Sequence, residues 1–176
     1  MINIRMDAAT MQAAIEGMQS NLSDLRPAWR QVHQVLLRFE REVFRSEGAY
    51  TGRPWQPLTP EYAARKQSRW GRRPILQASQ RMFRSFTDAG HDEHVFEMTP
   101  TRMIFGSRVF YARYHQDGTR ARRTGVPRTP LQRSASGQLM RRPGMAPRPP
   151  LPLITRAEGE QIVDILTAHA LRRPTR

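Results

Sequence analysis

The sequence predicts an α+β fold in which a long amphipathic helix and smaller helices pack on a short antiparallel β-sheet, with an extended basic arm. Three observations predict it. Apolar residues recur at helical spacing over residues 24–47, two short apolar runs flank a turn at residues 99–101, and residues 119–150 combine arginine with glycine and proline. We therefore expect a helical and hairpin core over residues 1–118, the arm over 119–150, and a C-terminal helix within 151–176 that packs back on the core.

Apolar spacing defines the first two helices. Residues 7–19 predict a short helix that the polar residues after it end. Residues 24–47 predict the long helix, with Ser23 or Asp24 as its cap and Glu47-Gly48 at its end. Its apolar residues, spaced by 4, 3, 4, 3 and 4, form one stripe: Leu25, Trp29, Val32, Leu36, Phe39 and Val43.

Two further helices follow the loop of residues 55–58, called here the tryptophan loop. Thr59 is a good N-cap, and Pro60 suits the first helical position, so residues 61–70 predict a helix that Gly71 ends. Residues 75–86 predict a third helix, or a helix that runs into a strand.

A β-hairpin and a last helix complete the predicted elements. Residues 95–96 and 103–105 lie on either side of the turn Thr99-Pro100-Thr101. Near the C-terminus, Thr155 and Glu158 have the spacing of a capping box. One stripe then follows it: Ile162, Ile165, Leu166 and His169.

The composition limits the classes of protein. There is no cysteine, which excludes disulfides and thiolate metal sites. The formal net charge is +14, from 29 basic and 15 acidic residues, and Lys66 is the single lysine. A GC-rich genome can account for arginine in place of lysine, but not for the excess of positive charge. That excess indicates a polyanion or an acidic protein surface as a partner.

No pattern in the sequence indicates catalysis, a cofactor or a metal. Phosphate-binding and dinucleotide-binding glycine motifs are absent, and His115 and Asp117 have no triad spacing. The run from His91 to His94 lacks the spacing of a metal site, so we interpret it as a solvated polar turn. No stretch has the length and apolarity of a signal peptide or a membrane span, so we expect a soluble protein made in a cytoplasm.

The arm is the strongest feature outside the predicted core. It is either a solvated loop or a segment that becomes ordered on an acidic partner or on DNA phosphates. It holds no aromatic residue, which argues against base stacking. Its arginines are Arg120, Arg122, Arg123, Arg128, Arg133, Arg141, Arg142 and Arg148.

Five short motifs occur in an order that is more specific than any one of them. They span roughly residues 35–170 and together resemble the phage virion morphogenesis family, the tail completion proteins of P2-like, Mu-like and lambda-like phages. The matching residues are Trp55, Pro57, Leu58 and Thr59, then Tyr62 and Lys66, then Ile75, Leu76 and Ser79, then Tyr111, Ala112, His115, Gln116 and Gly118, and last Pro147, Arg148, Pro149 and Leu151. Gln80 stands where the family usually has glycine, which favours a helical turn, and Pro150 stands where it usually has an aromatic residue.

The resemblance implies a structural protein of the neck or upper tail, not an enzyme, that completes the tail and helps to join it to the DNA-filled head. It implies a place in the virion, with assembly in the host cytoplasm. A homo-oligomeric ring, expected to be a hexamer, would contact neighbours such as a stopper, a tail terminator or the tail tube. Non-specific contact with DNA is compatible with the charge, and no membrane partner is expected.

Assembly contacts are expected at seven motif residues and at the eight arginines of the arm. Trp55 either closes the core of its own subunit or anchors a neighbouring one. The alternative function, from another class, is a stand-alone nucleic-acid-binding accessory protein that acts through the arm. The seven motif residues are Trp55, Pro57, Leu58, Tyr62, Tyr111, His115 and Gln116.

Overall fold

The computed structural model describes residues 7–119 and 145–172. Within these residues the fold is α+β, as the sequence predicts, with six α-helices and one two-stranded antiparallel sheet. The elements in chain order are α1 (Ala8–Ser23), α2 (Arg26–Arg45), a single 3-10 turn (Ala49–Thr51), α3 (Pro60–Trp70), α4 (Arg81–Thr87), β1 (His94–Met98), β2 (Met103–Ser107), α5 (Ala112–Asp117) and α6 (Arg156–Ala170).

The first helix is longer than predicted. Asp7 caps it by accepting a hydrogen bond from the Ala9 amide (3.2 Å), and it continues to Ser23 instead of ending near residue 19. The polar residues remain helical because α6 holds them: the Asn21 side chain donates to the Ala170 carbonyl (3.1 Å). Tertiary contact thus outweighs a weak local preference for a loop.

The long helix is confirmed, with a different N-terminus. Leu25 occupies the N-cap position without a side-chain hydrogen bond, so neither Ser23 nor Asp24 holds the predicted position. Asp24 still satisfies the first helical amide, because its Oδ1 accepts from the Arg26 amide (3.1 Å), and its Oδ2 forms an ion pair with Nη2 of Arg26 (2.7 Å). The helix ends as predicted before Gly48, whose φ of 85° suits glycine.

Helix α2 is the centre of the fold. The hairpin and α4 pack on one side of it and α6 packs on another. Burial therefore extends beyond the predicted stripe and adds Val35, Leu37 and Phe44 to the buried residues of the helix. The main apolar cluster consists of Phe39, Val43, Phe44, Trp55, Ile75, Met82, Phe86, Val109 and Ala112.

The segment between α3 and the hairpin differs from the prediction. Only residues from Arg81 onward form α4, and residues 75–80 form turns. Leu76 (φ 61°) and Gln80 (φ 60°) take the left-handed conformation, so the expectation of a helical turn at Gln80 is wrong. Gln80 has the backbone conformation that the family's usual glycine would adopt most readily.

The hairpin and the last helix occur where expected. Strands β1 and β2 pair antiparallel with Phe96 opposite Phe105. Thr155 is the N-cap of α6, but its hydroxyl bonds to the Glu158 carboxylate instead of capping a backbone amide, so the capping box is incomplete. Among the described residues, no helix is long and apolar enough to cross a membrane.

Candidate assembly site

The five sequence motifs meet around one cavity of about 710 Å³. The tryptophan loop, α3, the turn before α4, α5 and the segment from Met145 each contribute to its wall. The lining residues are Gln56, Pro57, Leu58, Thr59, Tyr62, Arg65, Lys66, Trp70, Leu76, Ala78, Ser79, Met82, Tyr111, His115, Met145, Ala146 and Arg148. Motifs that are up to about ninety residues apart therefore form one surface.

Trp55 lies in the core of its own chain and is only 5% exposed. Its ring meets Phe44 edge to face, with 5.4 Å between ring centroids. The indole Nε1 donates to the Pro149 carbonyl (3.2 Å), which ties the tryptophan loop to the segment before α6. Of the two roles left open by the sequence, the structure therefore supports core packing. A Cβ at Gly48 would lie 2.7 Å from Cδ1 of Trp55, so glycine makes room for the ring.

Arg148 was grouped with the arm, but it is buried and binds the tryptophan loop. Its Nε donates to the Gln56 carbonyl (2.7 Å) and its Nη2 to the Pro57 carbonyl (3.0 Å). Burial holds the pKa of this guanidinium below its usual value. Pro150 is also fully buried, so the segment docks although it lacks the family's usual aromatic residue. Residues 145–150 thus pack on the core.

Two further sets of hydrogen bonds fasten this segment to α5 and to the residues that follow it. Gln116 and Leu151 bond reciprocally: Nε2 donates to the Leu151 carbonyl (2.9 Å), and the Leu151 amide donates to Oε1 (3.1 Å). The Thr119 amide donates to the Met145 carbonyl, and the Met145 amide donates to the Thr119 hydroxyl, each at 2.8 Å. The two chain ends that border residues 120–144 therefore lie side by side.

Lys66 belongs to the part of the cavity wall that α3 forms. Its ammonium is buried and donates to the Arg73 and Pro74 carbonyls. Burial lowers the pKa of Lys66, and the charge of Glu47 partly offsets that effect. The same Glu47 accepts a hydrogen bond from the Ile75 amide (2.6 Å), so a half-buried acid and a buried base position neighbouring turns.

Other motif residues remain accessible. Tyr62 is 43% exposed, Pro57 is exposed, and Leu58 and Tyr111 are half-buried against the core. His115 is half-buried, and its Nδ1 has no hydrogen-bond partner among the described residues. Burial, and then the charge of Arg148, lower the pKa of His115, which favours the neutral imidazole. The site therefore offers aromatic and neutral polar groups above a framework of buried charges.

Several predicted site residues lie outside the described part of the chain. They are Arg120, Arg122, Arg123, Arg128, Arg133, Arg141 and Arg142. Near them in sequence, Phe110 is 70% exposed beside Tyr111, with 5.3 Å between ring centroids. Sequence reasoning did not select Phe110, because no motif includes it.

The run from His91 to His94 is not a solvated turn throughout. His94 lies in β1, where its Nδ1 bonds to the Ser85 carbonyl (2.9 Å) and its Nε2 meets Nε2 of His33 (2.8 Å). No group of three or more metal-ligating side chains occurs in residues 7–119 or 145–172. The histidines therefore connect the hairpin to α2. The sequence offered one signal of a buried polar contact on α2: His33 and Glu40 are seven residues apart and therefore share a face of the helix.

Comparison with known families decides the relationship. The model of the phage virion morphogenesis family matches residues 6–170 of the 176. The chain belongs to the phage virion morphogenesis family. No curated protein and no solved structure matches it with significant similarity. The family match includes all five motifs around the cavity and indicates a virion-associated role in phage morphogenesis.

Proposed function

We propose that this chain is a structural protein of the phage neck or upper tail that completes the tail and helps to join it to the DNA-filled head. The observation that carries the proposal is that some motif residues are buried and others are exposed. Trp55, Lys66 and Arg148 are buried and fix the walls of the cavity, whereas Tyr62 and Pro57 are exposed at its surface. The buried residues thus hold the exposed ones in a fixed arrangement.

The chemistry of the cavity suits a peptide segment of another virion protein. A volume of about 710 Å³ holds several side chains, and the aromatic rings of Tyr62, Trp70 and Tyr111 provide contact area with little conformational freedom to lose. No catalytic arrangement is needed for this role. A stopper, a tail terminator or the tail tube is the class of partner that this role requires.

Oligomerisation and the arm complete the proposal. A ring, with six copies as the working number, would surround the DNA channel and would use two different surfaces of each subunit. The arginines between residues 120 and 142 would then face acidic surfaces of adjacent proteins or DNA phosphates. The net charge of +14 supports such a location.

The test is a phage that lacks the gene, complemented by variants of this protein. Complete loss should yield filled heads and separate, unjoined tails by electron microscopy. Tyr62→Ala should reproduce that defect while the purified protein keeps its melting temperature. Tyr114→Ala is the matched control, because Tyr114 is 41% exposed, lies outside the cavity lining and belongs to α5. Normal particles with Tyr62→Ala would contradict a docking role for the cavity.

A second measurement separates the alternative function. A stand-alone nucleic-acid-binding protein would bind DNA tightly with a steep dependence on salt and would be absent from purified virions. Labelling the protein in virions and locating it at the head–tail junction would support the neck or upper-tail position. Its absence from virions, together with tight DNA binding, would favour the accessory protein.

A further inference from the structure

Helix α1 presents an apolar face that the described chain leaves uncovered. Met11, Ile15, Met18 and Leu22 are 38–52% exposed, and none of the 16 residues of the helix is buried. The helix is attached to the body mainly at its C-terminal end. There the His169 Nε2 donates to the carbonyls of Asn21 (3.0 Å) and Asp24 (2.9 Å). An isolated helix of this length is marginal in water, so a covering partner would add most of its stability.

The pattern of the apolar residues indicates the kind of partner. Their spacing of 4, 3 and 4 is that of alternating d and a positions in a two-helix seam. This narrow stripe differs from the broader face of a helix that packs on a globular core. The positions that flank the seam are neutral: Gln12, Ala14, Gln19 and Asn21. Such a seam is complementary to a second helix with the same pattern.

The charge distribution favours a second copy of this chain. The protein carries a net charge of +14, so most of its surfaces repel one another when two copies approach. Helix α1 does not add to this repulsion, because Glu16 is its only charged residue and it contains no lysine or arginine. The lack of basic residues also argues against an anionic membrane surface or nucleic acid as the partner.

We infer that α1 pairs with α1 of a second copy through a seam formed by Met11, Ile15, Met18 and Leu22. The seam runs from Met11 to Leu22, a little under two heptads and roughly 18 Å of helix, so the pairing is weak and depends on concentration. A high local concentration of copies during assembly would favour it. This contact lies on a different helix from the cavity and does not depend on the neck or upper-tail location.

Analytical ultracentrifugation of the full chain tests the inference. The wild-type protein should form dimers or larger species as its concentration rises. Ile15→Lys should remain monomeric over the same range with an unchanged melting temperature, because residue 15 is exposed and lysine is a good helix former. Val163→Lys is the control: Val163 is an exposed apolar residue (59%) on α6, and its variant should associate like the wild type. A wild-type protein that stays monomeric throughout, or an Ile15→Lys variant that associates normally, would overturn the pairing.

The lack of cysteine provides a direct second test. Ile15→Cys and Met18→Cys lie at the centre of the seam. In a parallel pair each cysteine meets its own equivalent, and in an antiparallel pair centred there residue 15 meets residue 18 of the other copy. Mild oxidation should therefore give disulfide-linked dimers of each variant alone (parallel) or of the two variants mixed (antiparallel), whereas Val163→Cys should remain mostly monomeric. Equal cross-linking at all three positions would show random collision and would overturn the seam. A contact of α1 with a different virion protein would give another result. Both the wild type and Ile15→Lys would be monomeric in solution, but the variant would fail to support particle assembly. This result too would overturn self-pairing.

Discussion

His33 on α2 and His94 on β1 share a hydrogen bond, with 2.8 Å between their Nε2 atoms. Because the Nδ1 of His94 donates to the Ser85 carbonyl, its Nε2 must accept, so His33 is the donor when both rings are neutral. The His33 ring also stacks on Phe96 at 3.8 Å between centroids. Burial, and then the neighbouring His94, lower the pKa of His33 to about 4.

This pair predicts a loss of stability in acid. Between the ordinary histidine pKa of 6.5 and a folded value of about 4, the unfolded chain binds the proton of His33 and the folded chain does not. The free energy of unfolding should therefore fall by roughly 3 kcal/mol as the pH drops through that range. His33→Gln keeps a donor but does not titrate, so its urea unfolding should depend less on pH between 6.5 and 4. An equal slope in wild type and variant would show that His33 is not responsible.

Glu40 predicts a pH dependence of the opposite sign. Its carboxyl is fully buried, and neither oxygen has a hydrogen-bond partner within residues 7–119 and 145–172. Burial raises the pKa of Glu40, so the folded chain holds a proton that the unfolded chain loses above about pH 4.5. Stability therefore declines as the pH rises through that value toward the folded pKa.

Glu40→Gln removes this cost of proton uptake. The variant should be more stable than the wild type at pH 8, and the difference should disappear near pH 4. Chemical unfolding at the two pH values measures it. Glu42→Gln, a change at a more accessible carboxylate that pairs with Arg45, should shift stability little at either pH. A destabilised Glu40→Gln protein at pH 8 would indicate a charged carboxylate with a partner of its own.

The sequence predicted elements well where local patterns coincide with tertiary packing. The stripe through Val32, Phe39 and Val43 and the Thr59 cap of α3 are examples, because apolar period and capping chemistry act within a few residues. It failed at Leu25 and at the end of α1. There, contacts with Pro100 and with α6, both distant in sequence, determine the backbone.

The sequence motifs identified residues that the structure brings together, but not which of them are buried. The motif order identified Trp55, Lys66 and Arg148, yet composition alone grouped Arg148 with the arm. Its burial depends on two carbonyls of the tryptophan loop, which lies about ninety residues earlier. The number of charges in a segment does not reveal such contacts. The His33–His94 pair was missed for the same reason, since its members come from different elements.

Gln80 predicts an unusual gain from glycine. The residue has φ 60° and ψ −4° at the start of α4, and a non-glycine residue in this left-handed region costs about 1 kcal/mol. Gln80→Gly should therefore be neutral or stabilising by up to about 1 kcal/mol, whereas Gln80→Val should destabilise by more than about 1 kcal/mol. Thermal unfolding checks both. Ser79→Gly is the control, because Ser79 does not have a positive φ, and the added flexibility should lower stability. A clear loss of stability in Gln80→Gly would show that the side chain, not the backbone, matters here.

The last prediction separates the arm from the fold. Residues 120–142 contain seven of the eight arginines, while Thr119 and Met145 are joined by two hydrogen bonds of 2.8 Å. Deleting 120–142 leaves Pro143 and Gly144 as a two-residue connection between chain ends that already lie side by side. The melting temperature of the deleted protein should stay within a few degrees of the wild type, because the apolar cluster from Phe39 to Ala112 is retained. Complementation of the null phage by this protein should nevertheless fail to produce infectious particles, since the charged contacts proposed for the arm would be lost.

Replacing the seven arginines by glutamine in the full-length protein should give the same defect, which separates the effect of charge from that of chain length. Infectious particles in normal yield from both variants would remove the arm from the assembly role.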